Sequence, residues 1–200
     1  MRERIDLLLD KDSFDEIGKV AGGAEYDDEG NLLSLTPANF ILGFGKIEGQ
    51  DVIVGGEDFT VKGGSPNAAG LRKSVYTEDL AVKHKFPLVR LHEGGGGSVA
   101  GPSKEKKGYG GDPVFARSRF KSVAQTLKEV PVVSAALGPV AGLPASRFVG
   151  SHFRIMVKDN AQILVAGPAV VSRAFGKDFT KEELGGSEVH KKNGVTENIA

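Results

Sequence analysis

The most informative absences in this 200-residue chain are those of cysteine, net charge and long apolar runs. Without cysteine the protein can form no disulfide, thiolate metal site or cysteine nucleophile, which fits a reducing compartment. The 26 lysines and arginines balance 26 aspartates and glutamates, so we expect no general attraction to nucleic acid. No apolar run approaches the ~18 residues of a membrane-spanning helix, and no apolar signal segment opens the chain. We therefore expect a soluble globular protein.

Several common catalytic motifs are missing as well. No G-x-x-x-x-G-K-[ST] sequence marks a phosphate-binding loop, and the histidines are too scattered for a zinc site, so we expect no metal. We interpret each histidine as a surface or capping group: His84, His92, His152 and His190. Residues 96–100 come close to the nucleophile elbow G-x-S-x-G around Ser98. A serine hydrolase with His152 or His190 as its base is therefore a minor alternative.

Glycine, by contrast, is abundant, with 28 residues or about twice average usage. Two glycine-rich turns, at residues 92–98 and 137–143, directly follow the apolar runs 87–91 and 131–136, which predict buried strands. Glycine lets a backbone approach a ligand closely and take a positive φ. Two such turns at adjacent strand ends can point two peptide N–H groups at one oxygen. This pattern predicts an oxyanion hole built without any side chain.

Hydrophobic periodicity predicts an alternation of helices and strands, which is typical of an α/β layered domain. Residues 48–50 predict a hairpin turn, and residues 22–30 and 98–111 predict loops. Ser65-Pro66 and Asp112-Pro113 predict helix starts, each an N-cap followed by a first-turn proline. The predicted helices cover residues 2–9, 65–85, 112–130, 142–148 and 168–175, and the predicted strands cover residues 40–47, 51–56, 88–91, 132–136, 153–157 and 162–165. No repeat or boundary interrupts the pattern, so we expect one domain over residues 1–200.

Short motifs in a fixed order span nearly the whole chain. They are Arg2-Glu3-Arg4-Ile5-Asp6-Leu7-Leu8-Leu9-Asp10 with Ser13-Phe14, Gly45-Lys46-Ile47-Glu48-Gly49, Asp58-Phe59-Thr60-Val61-Lys62-Gly63-Gly64-Ser65, Met156-Val157-Lys158-Asp159, Ala166-Gly167-Pro168 and Glu183-Leu184-Gly185-Gly186. Together they resemble the carboxyltransferase (beta) subunits of biotin-dependent acyl-CoA carboxylases, such as those that act on propionyl-CoA and methylcrotonoyl-CoA. The resemblance covers only the N-terminal half of such subunits, so we expect the C-terminal, biotin-binding half to be absent.

The resemblance implies a crotonase-like fold, in which ββα units stack in layers. It also implies transfer of a carboxyl group from carboxybiotin to the α-carbon of an acyl-CoA, with backbone N–H groups holding the thioester enolate oxygen. In that scheme the catalytic donors are Gly95, Gly96, Gly142 and Leu143. The residues predicted to bind coenzyme A are Gly63, Gly64 and Ser65, along its path, with Arg72 and Lys73 for its phosphates.

The resemblance further implies partners and a compartment. We expect binding of acyl-CoA, of a biotin carboxylase and biotin carrier subunit, and of a C-terminal carboxyltransferase half, together with homo-oligomer formation. The implied compartment is the cytoplasm, or the mitochondrial matrix in a eukaryote. Two alternatives stay open. A non-catalytic acyl-CoA-binding fragment would use the same binding surface, and a subunit of a malonyl-type-CoA decarboxylase or transcarboxylase would use the same enolate.

Overall fold

The central sheet changes from antiparallel to parallel pairing across its width. In the computed structural model, which describes residues 1–96 and 118–200, the strands are β1 (Asp15–Glu16), β2 (Gly22–Tyr26), β3 (Leu32–Pro37), β4 (Phe40–Ile47), β5 (Gln50–Glu57), β6 (Leu88–Gly94), β7 (Val132–Ala141), β8 (Phe153–Met156), β9 (Gln162–Leu164) and β10 (Asn198–Ile199). The sheet runs β1-β4-β5-β6-β7-β8-β10, and β9 pairs with the end of β7. β1, β4 and β5 pair antiparallel, whereas β5, β6, β7, β8 and β10 pair in parallel.

Helices connect the parallel strands and cover the sheet. They are α1 (Arg2–Leu8), α2 (Ala68–His84), α3 (Arg119–Glu129), α4 (Leu143–Val149), α5 (Pro168–Phe175), α6 (Lys181–Gly185) and α7 (Ser187–Lys192), with a short 3-10 turn at Lys62–Gly64. Helix α2 packs against β4, β5 and α3, and α4 packs against β6 and β7. The predicted α/β architecture is therefore present. No helix in the described ranges is long and apolar enough to cross a membrane.

Alternation along the strands divides the core between the two faces of the sheet. Successive side chains of a strand point to opposite faces. Leu42 and Ile53 accordingly pack beneath α2, whereas Ile41 and Val54 pack with Ile5 of α1 on the other face. A third buried cluster surrounds α4, where β7, β8 and β9 meet. Val140 near the end of β7 lies in this third cluster, and Leu91 of β6 lies in the cluster around Ile5.

The structure corrects two predicted elements near the N-terminus. Residues 22–30, predicted as a loop, contain strand β2, which forms a separate hairpin with β3. The helix predicted from Ser65 begins at Ala68 instead, because Asn67 is the N-cap and its side chain accepts from the Gly70 N–H at 2.7 Å. Ser65 is held extended, since its carbonyl accepts from the Asn39 side chain.

Further along the chain, β7 extends beyond its predicted end at residue 136. It continues to Ala141 through most of the predicted second glycine turn. Gly138 lies inside the strand, where a Cβ would be 2.6 Å from Oε1 of Glu93. The glycine here makes room for a neighbouring side chain, and the turn itself is confined to Gly142. The helix start predicted at Asp112 lies outside the described residues, and α3 begins at Arg119.

Candidate functional site

The two predicted glycine turns lie in contact at the ends of β6 and β7, which are adjacent parallel strands. A Cβ on Gly96 would be 2.7 Å from the Ala141 carbonyl oxygen and 3.2 Å from the Gly142 Cα. Gly96 has φ +71°, and Gly142 has φ 67° with ψ −134°, a combination that side-chain-bearing residues rarely adopt. Both conformation and spacing therefore require glycine here.

A third backbone segment, residues 63–65, packs against the first turn. The Gly95 N–H donates to the Gly63 carbonyl at 3.1 Å, and the Ser65 hydroxyl donates to the Gly96 carbonyl at 2.8 Å. A Cβ on Gly64 would be 2.6 Å from the Gly94 Cα. The structure thus brings the predicted coenzyme A residues 63–65 directly against the predicted donor turn, where they hold it in place.

The peptide N–H groups of the site differ in availability. The Gly95 amide is already bonded to Gly63, whereas the described residues provide no acceptor for the Gly96 amide. The amides of Gly142 and Leu143 likewise have no acceptor within the described ranges, as expected of the first residues of a helix. Among the described residues, the N–H groups of Gly96, Gly142 and Leu143 are therefore the ones left to donate to a ligand oxygen.

An apolar groove of about 850 Å³ opens beside the second turn. Gly142 and Leu143 form one end of it. The other lining residues are largely apolar and include Phe120, Ala145, Val149, Ile163, Val165 and His190. Leu143 also lines a second, smaller cavity, together with Glu57 and Arg147. Leu143 of the second turn thus borders both the open groove and the smaller cavity.

The predicted phosphate contacts, Arg72 and Lys73, are placed differently from each other. Arg72 is exposed on α2, whereas Lys73 is buried and its Nζ donates to the Gly18 carbonyl at 3.2 Å. Burial lowers the pKa of Lys73, which the nearby carboxylate of Glu16 only partly offsets. Neither side chain lines the groove or the cavity.

Sequence reasoning missed a buried ion cluster beneath the two turns. Oε1 of Glu78 accepts from Arg90 Nη2 at 2.6 Å and from Arg147 Nε at 2.8 Å, and Arg147 Nη1 donates to the Ser74 hydroxyl at 3.1 Å. Burial, followed by the charge of Arg147, lowers the pKa of Arg90 to about 10, against the opposing effect of Glu78. Arg90 could have indicated this cluster from the sequence, because a charged side chain inside the apolar run 87–91 needs a buried partner.

The interpretation of His92 as a surface or capping group was wrong. His92 is 2% exposed, with Nδ1 3.2 Å from Oε2 of Glu57 and Nε2 3.2 Å from the Ser134 hydroxyl. Burial by itself would raise the pKa of Glu57, but His92 and Arg147 together hold it below its usual value. Ser134 is fully buried and bonded to Ser151 at 2.7 Å, so this Ser–His–Glu arrangement offers no nucleophile to a substrate.

The histidines nominated for a hydrolase are bonded to backbone. Nδ1 of His152 accepts from the Val132 N–H at 3.0 Å, and Nε2 of His190 lies 2.9 Å from the Ile163 carbonyl. Ser98 lies outside the described residues. Within the described ranges, no cluster of three or more histidine, aspartate or glutamate side chains is arranged to hold a metal ion.

Comparisons with known proteins identify the family of the chain. All of residues 1–200 match the family model of the carboxyl transferase domain. The propionyl-CoA carboxylase beta chain of Roseobacter denitrificans is 34% identical, over 94% of this chain and 36% of that protein. The biotin-dependent 3-methylcrotonyl-coenzyme A carboxylase beta1 subunit of Mycobacterium tuberculosis is 29% identical, over 100% of this chain and 36% of that protein. A transcarboxylase 12S crystal structure with methylmalonyl-coenzyme A and methylmalonic acid bound has a TM-score of 0.77 at 27% identity, covering 100% of this chain and 38% of that one.

The chain therefore belongs to the carboxyl transferase domain family, and the predicted resemblance and crotonase-like fold are confirmed. It spans about a third of the length of these curated relatives, 36% in each case, which agrees with a match to their N-terminal half.

Proposed function

We propose that this domain binds an acyl-CoA and stabilises the enolate oxygen of its thioester during carboxyl transfer from carboxybiotin. The observation that carries the proposal is the contact between the turns at Gly96 and Gly142 at the ends of β6 and β7. Their peptide N–H groups, which have no acceptor among the described residues, lie at one edge of the sheet, where we infer that a single oxygen accepts from both. Charge stabilisation by such donors needs no side-chain acid.

The chemistry follows from where charge develops. Removing a proton from the α-carbon of a thioester moves negative charge onto its carbonyl oxygen, and each fixed N–H donor there contributes about 3 kcal/mol to the transition state. We assign this role to Gly96 and to Gly142 with Leu143. Gly95, also predicted as a donor, instead orients the turn through its bond to Gly63. Bound carboxybiotin would supply the carboxyl group, the biotin left after loss of CO2 would take up the α-proton, and we assign biotin no contact in this chain.

Coenzyme A would approach along residues 63–65, which lie against the first turn. We keep Arg72 as a phosphate contact because its side chain is exposed, and we give Lys73 a structural role through its bond to Gly18. The apolar groove beside Gly142 would be covered by a C-terminal carboxyltransferase half or by another copy of the domain. A biotin carboxylase and a biotin carrier subunit would complete the reaction, in the cytoplasm or mitochondrial matrix.

A second candidate is transcarboxylation or decarboxylation of a malonyl-type CoA, since the transcarboxylase 12S structure contains bound methylmalonyl-coenzyme A. It would use the same enolate and the same donors, so the direction of transfer depends on the partners. Mass spectrometry of methylmalonyl-CoA after incubation with the protein tests this candidate. An unchanged mass would remove decarboxylation by the chain itself.

Isothermal titration calorimetry with propionyl-CoA and with free CoA tests the main proposal. We expect tighter binding of propionyl-CoA, and loss of that difference in Gly142→Ala, because alanine cannot keep the Gly142 conformation. The matched control is Gly176→Ala. Gly176 lies at the end of α5, has a similar φ of +69°, and has no atom near the position that a Cβ would take. Equal affinities of folded wild-type protein for propionyl-CoA and CoA would contradict the proposal.

A further inference from the structure

One buried carboxylate oxygen joins the two elements that carry the donor turns. Glu78 of α2 accepts at Oε1 from Arg90 of β6 and from Arg147 of α4. Arg90 lies in β6, on the same strand as Gly94, its last residue, and Arg147 follows Leu143, the first residue of α4, by one helical turn. The same atom of α2 therefore holds both the strand that leads to the first turn and the helix that begins at the second.

Burial and guanidinium geometry make this connection stiff. The side chains of Glu78, Arg90 and Arg147 are 0%, 6% and 3% exposed, so solvent screens their attraction little. The guanidinium of Arg147 is fixed in two directions, since its Nε donates to Glu78 and its Nη1 donates to Ser74, both on α2. A planar guanidinium bonded through two nitrogens fixes direction as well as distance, which an ammonium group cannot do.

A purely stabilising role accounts poorly for this cluster. Desolvation makes buried ion pairs a weak net source of stability compared with apolar side chains of similar volume. The cluster also leaves Oε2 of Glu78 and Nη2 of Arg147 without a protein partner among the described residues. A cluster that is incompletely satisfied but rigidly oriented suits the positioning of the backbone on either side of it.

We propose that Glu78 and Arg147 are positioning residues that fix the spacing between the N–H of Gly96 and those of Gly142 and Leu143. This inference rests on the proposed function of those amides. Two donors serve one oxygen only if their separation is held to a fraction of an ångström, and misplacement by about 1 Å can cost a hundredfold in rate. Glu78 sets that separation from beneath, without touching the substrate.

The test compares Arg147→Lys with a matched control. Lysine keeps the charge but cannot reproduce the two-direction bonding of the guanidinium. The control is Arg154→Lys on β8, where Arg154 also binds a carboxylate, that of Glu197. Each protein is titrated with propionyl-CoA and with S-propyl-CoA, a thioether that lacks the carbonyl oxygen.

We expect wild-type protein and Arg154→Lys to prefer propionyl-CoA by about fivefold, the value of one net hydrogen bond. Arg147→Lys should lose that preference while keeping its affinity for S-propyl-CoA within about twofold. If Arg147→Lys weakened the binding of both ligands equally, or left the preference for propionyl-CoA unchanged, the positioning role would be overturned. No preference in the wild-type protein would instead refute the proposed function.

Amide hydrogen exchange tests the same inference without any ligand. Arg147→Lys should speed exchange in peptides covering residues 88–96 and 142–149, with peptides of α5 unchanged. Exchange that is unchanged in both regions would overturn the inference even if the proposed function stands. If Arg147→Lys does not fold, Ser74→Ala, which removes only the bond to Nη1, undergoes both measurements under the same criteria.

Discussion

Replacing Gly96 with alanine should destabilise the fold more than the same replacement at a positive-φ glycine whose surroundings are open. The new Cβ would be 2.7 Å from the oxygen and 2.9 Å from the carbon of the Ala141 carbonyl, and 3.2 Å from the Gly142 Cα. All three atoms belong to backbone, so none can rotate away. The end of β7 must shift, and this shift would separate the two donor turns.

The magnitude has two parts. A left-handed backbone conformation costs alanine about 1–2 kcal/mol relative to glycine. Overpacking against fixed backbone adds about 1–3 kcal/mol. Gly176→Ala isolates the first part, because Gly176 has a φ of +69° and no atom within 4 Å of its Cβ. We therefore expect Gly96→Ala to lower the free energy of unfolding by about 1–3 kcal/mol more than Gly176→Ala.

Urea denaturation followed by circular dichroism measures both free energies on the full chain. The folded Gly96→Ala protein should also bind propionyl-CoA no better than CoA, whereas Gly176→Ala should keep the wild-type preference. Equal destabilisation by the two substitutions would show that the turns do not touch as described. An unchanged preference for propionyl-CoA in Gly96→Ala would refute the assignment of the donor.

Three further predictions concern other parts of the molecule. The folded-state pKa of Glu57 lies below its usual 4.5, so the folded protein binds fewer protons than the unfolded chain. The contribution of Glu57 to the free energy of unfolding should therefore be full above about pH 4.5 and fall below it. Glu57→Gln should flatten this pH dependence in urea titrations at several pH values. Arg72→Gln should weaken propionyl-CoA and CoA equally, by about two- to fivefold, whereas Lys73→Met should leave both affinities unchanged in calorimetry. The exposed apolar groove near Val165 and the zero net charge should make the chain self-associate. Sedimentation velocity should then show species above 21.1 kDa, and Val165→Glu should reduce their amount. A sharp monomer at every concentration would contradict this prediction.

Local signals in the sequence predicted the elements that carry the site. The predicted turn Glu48-Gly49-Gln50 between two apolar runs marked the hairpin of β4 and β5, which the structure pairs from Phe40 opposite Glu57 to Ile47 opposite Gln50, so that Gln50 already belongs to β5. Apolar runs followed by glycines located β6 and β7, because buried parallel strands read as continuous apolar segments. The contact between the turns followed from adjacency of those strands.

Local signals in the sequence could not predict side-chain contacts between residues that are far apart along the chain. Glu78 and Arg147 are 69 residues apart, and nothing in either helix indicates that the two side chains meet. The start of α2 also depends on a residue distant in the sequence. The Asn39 side chain forms hydrogen bonds with the backbone of Ser65 and of Asn67, and the helix begins only after them. The extension of β7 also brings Gly138 against the side chain of Glu93, a residue far away in the sequence.

The proposed function depends most directly on where the thioester oxygen binds. A crystal structure of the protein with propionyl-CoA measures this without assuming turnover. We predict that the carbonyl oxygen lies about 3 Å from the amide nitrogen of Gly96 and about 3 Å from that of Gly142 or Leu143. An acyl-CoA bound with its carbonyl oxygen away from both turns would contradict the central claim.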